Sequence, residues 1–139
     1  MKILPAVLSV VLLAPFTAKA VVPVEVIADA SSEVGKVVTS VVNGKIAESE
    51  ILRLTKSGED RLQLRFLAMD QFGARPGVGT SYALSVTWSG VQAPMPLFFD
   101  QRLGYCGSDR IEEWPAEVVK ILEDHAIAVD KARDRAGVR

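Results

Sequence analysis

Residues 60–88, with the sequence DRLQLRFLAMDQFGARPGVGTSYALSVTW, determine the architecture that we predict for this chain. In the first half, the apolar residues Leu62, Leu64, Phe66 and Ala68 alternate with Arg61, Gln63 and Arg65. In the second half, Tyr82, Leu84, Val86 and Trp88 alternate with Ser85, Thr87 and Ser89. Alternation with a period of two is typical of β-strands that have one buried face and one solvent-exposed face. The segment therefore predicts two half-buried strands, joined by a loop over 70–79 that contains glycine and proline.

Further strands are predicted on both sides of this pair. Residues 50–56 are strand-like, and the short polar segment Ser-Gly-Glu-Asp that separates them from 61–69 is typical of a hairpin. We therefore expect 50–56 and 61–69 to pair with each other. Residues 97–99 indicate an edge strand, because prolines precede them and proline cannot donate to a central ladder. Residues 21–27 predict a short strand or an extended lead-in.

Two segments have apolar residues at helical spacing. The first is rich in valine and follows the serine pair at 31–32, where serine is a good N-cap. We expect this helix to end at the Asn-Gly pair at 43–44. The second helix is longer, covers about 115–135, and follows a D-x-x-E capping pattern over 109–112. We expect Gly137 to end it.

The order of these elements predicts an α+β protein. The strands lie together between the two helices instead of alternating with them. Segregated helices of this kind cover one face of an antiparallel sheet. We therefore expect a two-layer α/β sandwich, with an antiparallel sheet of about four strands, an N-terminal helix and a longer C-terminal helix.

The first 20 residues predict export. A positively charged start, an apolar run over 3–16 and the ending Ala-Lys-Ala at 18–20 are the parts of a signal peptide that is cleaved after Ala20. The apolar run of about 14 residues is shorter than the roughly 20 that a membrane-spanning helix needs. We expect residues 21–139 to form one domain in the periplasm or outside the cell, with no transmembrane segment in the mature chain.

The composition excludes several classes of function. Lysine and arginine number 16 against 17 aspartates and glutamates, and cleavage after residue 20 removes two of the lysines. An acidic mature chain without a basic stripe predicts no nucleic-acid partner. The single cysteine, Cys106, allows no internal disulfide, and its expected role is a small buried side chain. One histidine and no clustered ligands predict neither a metal site nor a cofactor.

Hydrolytic chemistry would depend on His125, the sole histidine of the chain. No Gly-x-Ser-x-Gly motif is present. His125 lies on the apolar stripe of the C-terminal helix, where a structural role is expected. Glu112 and Glu113 are neighbours that point about 100° apart on a helix, so they do not form an acid–base pair. We predict no catalytic residue, and a small secreted hydrolase that uses His125 is the enzymatic alternative.

The loop between the two central strands is the predicted binding site. It is long for a hairpin and contains Gln71, Phe72, Arg75 and Pro76. Long loops on a rigid sheet often carry binding, and an arginine or aromatic residue can anchor an interface. We predict that this loop and the open face of the sheet bind a protein or an envelope component. Two alternatives stay open: a solvent loop in which Phe72 folds onto the core, and a homodimer through residues 97–99.

The layout of the whole chain resembles a known family. It combines a signal that ends at residue 20, a valine-rich helix, the strands 61–69 and 82–88, and a terminal helix from Pro115. In this layout the chain is similar to small exported bacterial proteins described as quorum-sensing-regulated virulence factors. The resemblance implies an α/β sandwich and a secreted or periplasmic role related to virulence, and it brings no catalytic residues.

Overall fold

The computed structural model of the protein describes residues 20–56, 58–70, 77–92 and 95–137. The predicted signal segment 1–19 lies outside these residues. In chain order, the elements are β1 (Val22–Ala30), α1 (Glu33–Glu48), β2 (Leu52–Leu54), β3 (Arg61–Met69), β4 (Gly79–Ser89), β5 (Leu97–Gly107) and α2 (Glu113–Ala136). The α+β class and the positions of the two helices are confirmed. Neither helix of the described chain is long and apolar enough to cross a membrane.

The five strands form one mixed sheet in the order β2-β1-β3-β4-β5. β1 is parallel to both β2 and β3, whereas the pairs β3–β4 and β4–β5 are antiparallel. The expectation of an antiparallel sheet of about four strands was therefore wrong in strand number and in direction. The reason is that residues 22–30 form an inner strand of the sheet, and local alternation does not reveal which strands become neighbours.

The predicted hairpin between 50–56 and 61–69 does not form. β2 and β3 lie on opposite sides of β1, so that Val24 is level with Leu54 on one side and with Leu62 on the other. Directly after β2, Thr55 still contacts β1, because its N–H donates to the Val24 carbonyl at 2.9 Å. The apolar strand β1 takes the place between the two predicted partners.

The start of α1 agrees with the sequence and its end does not. Ser32 is the N-cap, and its Oγ accepts the Gly35 N–H at 3.0 Å. The predicted end at 43–44 is wrong, because the helix continues to Glu48. The continuation places Ile46 in the core, fully buried, and this burial outweighs the cost of about 1 kcal/mol for Gly44 inside a helix.

The last helix begins two residues earlier than predicted. The capping pattern over 109–112 is not used, since Ser108–Arg110 forms a 3₁₀ turn and Glu112 makes no side-chain capping bond. The predicted end is confirmed. Gly137 has φ +67°, and its N–H reaches the carbonyls of Arg133 and Asp134. This left-handed conformation is the usual reason for glycine at this place.

Both helices cover the same face of the sheet. The predicted inward residues of β3 are all buried, and they share one core with residues of α1 and α2. At the centre of this core three rings meet: Trp114 is 4.3 Å from Tyr82 and 5.5 Å from Phe66 between ring centroids. The opposite face of the sheet is left without a covering helix in the described structure.

Candidate functional site

The four residues of the predicted binding loop, Gln71, Phe72, Arg75 and Pro76, lie outside the described residues. Their role therefore stays a prediction. The described chain does define where the loop leaves the sheet, because β3 ends at Met69 and β4 starts beside it. Surfaces at this end of the sheet are therefore close to the two points at which the predicted loop is attached.

The uncovered face of the sheet carries large apolar side chains at the same end. Leu67, Ala83 and Leu103 lie side by side across β3, β4 and β5. Met69 and Tyr105 follow in the next row on this face. Leu103 is 74% exposed and Met69 is 53% exposed. We call Leu67, Met69, Leu103 and Tyr105 the open-face patch; Ala83 and Ser81 of β4 lie between its two sides. Clustered exposed apolar side chains mark interaction surfaces.

The other end of the same face is polar. The Glu25 carboxylate accepts hydrogen bonds from Arg61 Nε at 2.6 Å and from Gln63 Nε2 at 2.7 Å, and both ionic side chains are largely buried. Burial opposes the ionised form of Glu25, but the hydrogen bonds from Arg61 and Gln63 outweigh it and hold its pKa below the ordinary value. The open face thus combines a fixed ionic network with an apolar patch.

We expect this network to make stability depend on acid pH. The ionised Glu25 carboxylate stabilises the fold above its unfolded pKa, near 4.5, and that contribution is lost as pH falls through the lower folded pKa. Urea unfolding should therefore show that the free energy of unfolding falls more between pH 7 and pH 3 in the wild type than in Glu25→Gln. Glu33→Gln is the control, because Glu33 pairs with Lys36 on the exposed surface. Equal pH dependence of the wild type and Glu25→Gln would contradict the assignment.

β5 forms one edge of the sheet and is much longer than the predicted edge strand over 97–99. The Ser108 N–H donates to the Val78 carbonyl at 2.9 Å, and the ladder alternates from there. The backbone N–H and C=O groups of Leu103 consequently point away from β4, toward the outer edge. The Gln101 carbonyl also points outward, whereas the Gln101 N–H donates to the Asp100 Oδ1 at 2.8 Å. An edge of this kind can accept another strand.

A groove lies on the helix side of the sheet, between α2 and the β4–β5 end of the sheet. Its volume is about 470 Å³. Its walls are mainly apolar and include Trp88, Leu97, Phe99 and Ala132. His125 also lines it, with the imidazole stacked on Phe99 at a centroid separation of 5.2 Å. The groove is therefore separated from the open-face patch by the thickness of the sheet.

The groove does not assemble a hydrolytic site around His125. Its described lining contains no serine, threonine or cysteine that could act as a nucleophile. The carboxylate that lines it, Asp60, accepts the Val91 N–H at 2.8 Å. His125 instead contributes a flat ring to an aromatic wall. The described lining of the groove therefore offers His125 no nucleophile that it could activate as a general base.

Cys106 is buried beside the start of the 3₁₀ turn. Burial raises the pKa of its thiol, so that the reactive thiolate form is disfavoured. Among the described residues, no group of histidine, cysteine and carboxylate side chains could hold a metal ion. Neither thiol chemistry nor metal chemistry is therefore supported by the geometry.

Sequence reasoning missed the length of β5 and the groove. The extension of β5 could have been inferred from Gln101, Leu103 and Tyr105, which alternate with Arg102 and Gly104. The groove leaves a weaker signal, namely the alanines spaced four residues apart near the end of α2. Their spacing shows that these alanines share one face of the helix. It does not reveal the gap between that face and the sheet.

Two surfaces on opposite sides of the sheet thus stand out: the open-face patch with the β5 edge, and the groove beneath α2. The first lies where the predicted binding loop leaves the sheet, and the second has aromatic walls and no catalytic set in its described lining. No protein-family model and no curated protein matches this chain.

Proposed function

We propose that this protein is exported and acts without catalysis, by binding a protein or another component of the bacterial envelope or exterior. The contact surface is the open-face patch together with the loop that holds Phe72 and Arg75. The observation that carries this proposal is the strand register that brings Leu67 and Leu103 into one exposed apolar surface. A patch of this kind at the end of a rigid sheet is typical of an interaction site.

The β5 edge offers a second set of contacts to the same partner. Leu103 directs a backbone donor and an acceptor outward, and Gln101 directs its carbonyl outward. The Leu103 side chain also belongs to the open-face patch. A partner strand that adds to this edge would gain main-chain hydrogen bonds, while the patch would select its apolar side chains. A protein partner is therefore favoured over a sugar or a nucleic acid.

Binding is favoured over hydrolysis for a geometric reason. His125 stacks on Phe99 in an apolar groove, and Cys106 is buried with a raised pKa. A nucleophilic mechanism needs a nucleophile within hydrogen-bond reach of its base. The proposed location, periplasmic or secreted, rests on the first 20 residues, and a role in virulence rests on the resemblance of the layout.

We expect Leu103→Asp to abolish capture of the partner. The tagged mature chain, residues 21–139, is used to isolate bound proteins from the periplasm and the culture medium of its own source. Aspartate at position 103 places an unpaired charge within the patch, where it would have to be desolvated on binding. Phe72→Ala and Arg75→Ala test the contribution of the loop in the same way.

Val37→Asp is the matched control for this experiment, because Val37 is an exposed apolar residue on α1, away from the open face. Thermal unfolding of each variant shows whether the fold is kept. Equal capture by the wild type and Leu103→Asp would reject the proposal. A doubled mass in light scattering, without any second protein, would instead support the alternative of a homodimer through residues 97–99.

A further inference from the structure

The groove has the size and lining of a small-molecule site. Its volume of about 470 Å³ falls within the roughly 300–1,000 Å³ that is usual for such sites. Trp88 and Phe99 form the wall on the sheet side, and the ring of His125 lies nearly parallel to Phe99, at an interplanar angle of 18°. Flat aromatic walls favour stacking with another ring.

The groove exists because the side chains of α2 become smaller along the helix. In its first half, Val118 and Leu122 are buried against the sheet. In its second half, the residues that line the groove include Ala128 and Ala132, whose single methyl groups do not fill the gap to β4 and β5. Trp88 therefore remains partly exposed.

The charges that line the groove cancel each other. Asp60 and Arg133 both contribute to the lining. Arg133 makes no ion pair with any residue of the described chain, and Asp60 accepts only the Val91 N–H in that part of the structure. One acidic and one basic group provide no net charge to compensate the desolvation of an ionic ligand.

From this lining we infer that the groove binds a planar aromatic molecule of no net charge, with its ring against Trp88 and the Phe99–His125 stack. The site lies on the helix side of the sheet and is independent of the open-face patch. Variants that lose ligand binding in the groove are therefore expected to keep partner binding at the open-face patch, and the reverse should also hold.

The test uses three probes with the same ring system: 2-naphthol, which is neutral, 2-naphthoate, which is anionic, and 2-naphthylmethylammonium, which is cationic. Each is added to the mature chain, and the indole N–H signal of Trp88 is followed by NMR, with the buried Trp114 as internal reference. We expect 2-naphthol to shift the Trp88 signal and the charged probes to bind about tenfold more weakly.

Ala132→Trp fills the groove and should weaken binding of 2-naphthol by about tenfold or more. Ala128→Phe is a second filling variant, and Ala116→Trp, at an exposed position of α2, is the matched control that should bind as the wild type does. Arg133→Gln should shift the preference toward the cation, and Asp60→Asn toward the anion. An unshifted Trp88 signal with 2-naphthol, tighter binding of a charged probe, or full binding by a folded filling variant would overturn the inference.

Discussion

Replacement of Trp114 by alanine is expected to lower the free energy of unfolding by about 3–5 kcal/mol. Trp114 is 5% exposed and lies in the first turn of α2. Its ring packs against Phe66 and Tyr82, and its indole N–H donates to the Tyr82 hydroxyl at 3.0 Å. Truncation would leave a cavity between α2 and the sheet and would remove the donor to Tyr82.

Chemical denaturation followed by circular dichroism measures this loss of stability. One further variant separates the hydrogen bond from the ring packing, and a second serves as a surface control. Trp114→Phe keeps most of the ring packing but removes the hydrogen bond, so we expect a smaller loss of about 1–2 kcal/mol. Lys120→Ala, on the exposed side of α2, should change stability by less than about 0.5 kcal/mol. A loss below 1 kcal/mol for Trp114→Ala would contradict its position as the anchor of α2.

Gly35→Ala is expected to destabilise the protein by about 1–3 kcal/mol, although alanine is the better helix former. A Cβ at Gly35 would lie 2.5 Å from the Ala68 Cβ and 2.7 Å from the Ser32 Oγ. Both neighbours are constrained. Ala68 is a buried residue of β3, and the Ser32 hydroxyl caps α1 and donates to the Thr80 Oγ1 at 2.7 Å.

The same substitution at Gly44 is the matched control, and its effect on the free energy of unfolding should have the opposite sign. Gly44 lies in the same helix, is exposed, and has no atom within 4 Å of an added Cβ. Gly44→Ala should therefore raise the free energy of unfolding by about 0.5–1 kcal/mol. Denaturant midpoints of the two variants test the pair, and a stabilised Gly35→Ala would show that α1 can move away from β3.

Patterns within a single segment were predicted well. Residues 61–69 form the predicted strand, and Ser32 caps the predicted helix, because alternation and capping depend on residues close together in the chain. Predictions that needed a distant partner were less successful. The hairpin of 50–56 with 61–69 failed because β1 pairs with both segments, and α1 passed its expected end because Ile46 is buried in the core.

The candidate surfaces follow the same division. The sequence indicated that one face of the sheet is open, since Arg61, Gln63 and Arg65 alternate with apolar residues in β3. It did not indicate that Leu67 and Leu103, which are far apart in the chain, lie in the same row of the open face, on either side of Ala83.

By itself, the sequence determined the α+β class, the inward and outward faces of β3, the start of α1 and the end of α2 at Gly137, because each depends on side chains within a few residues. Only the tertiary structure decided the mixed strand directions, the open-face patch and the groove. Strand partners and the gap between α2 and the sheet depend on residues far apart in the chain, and packing of the whole core brings them together.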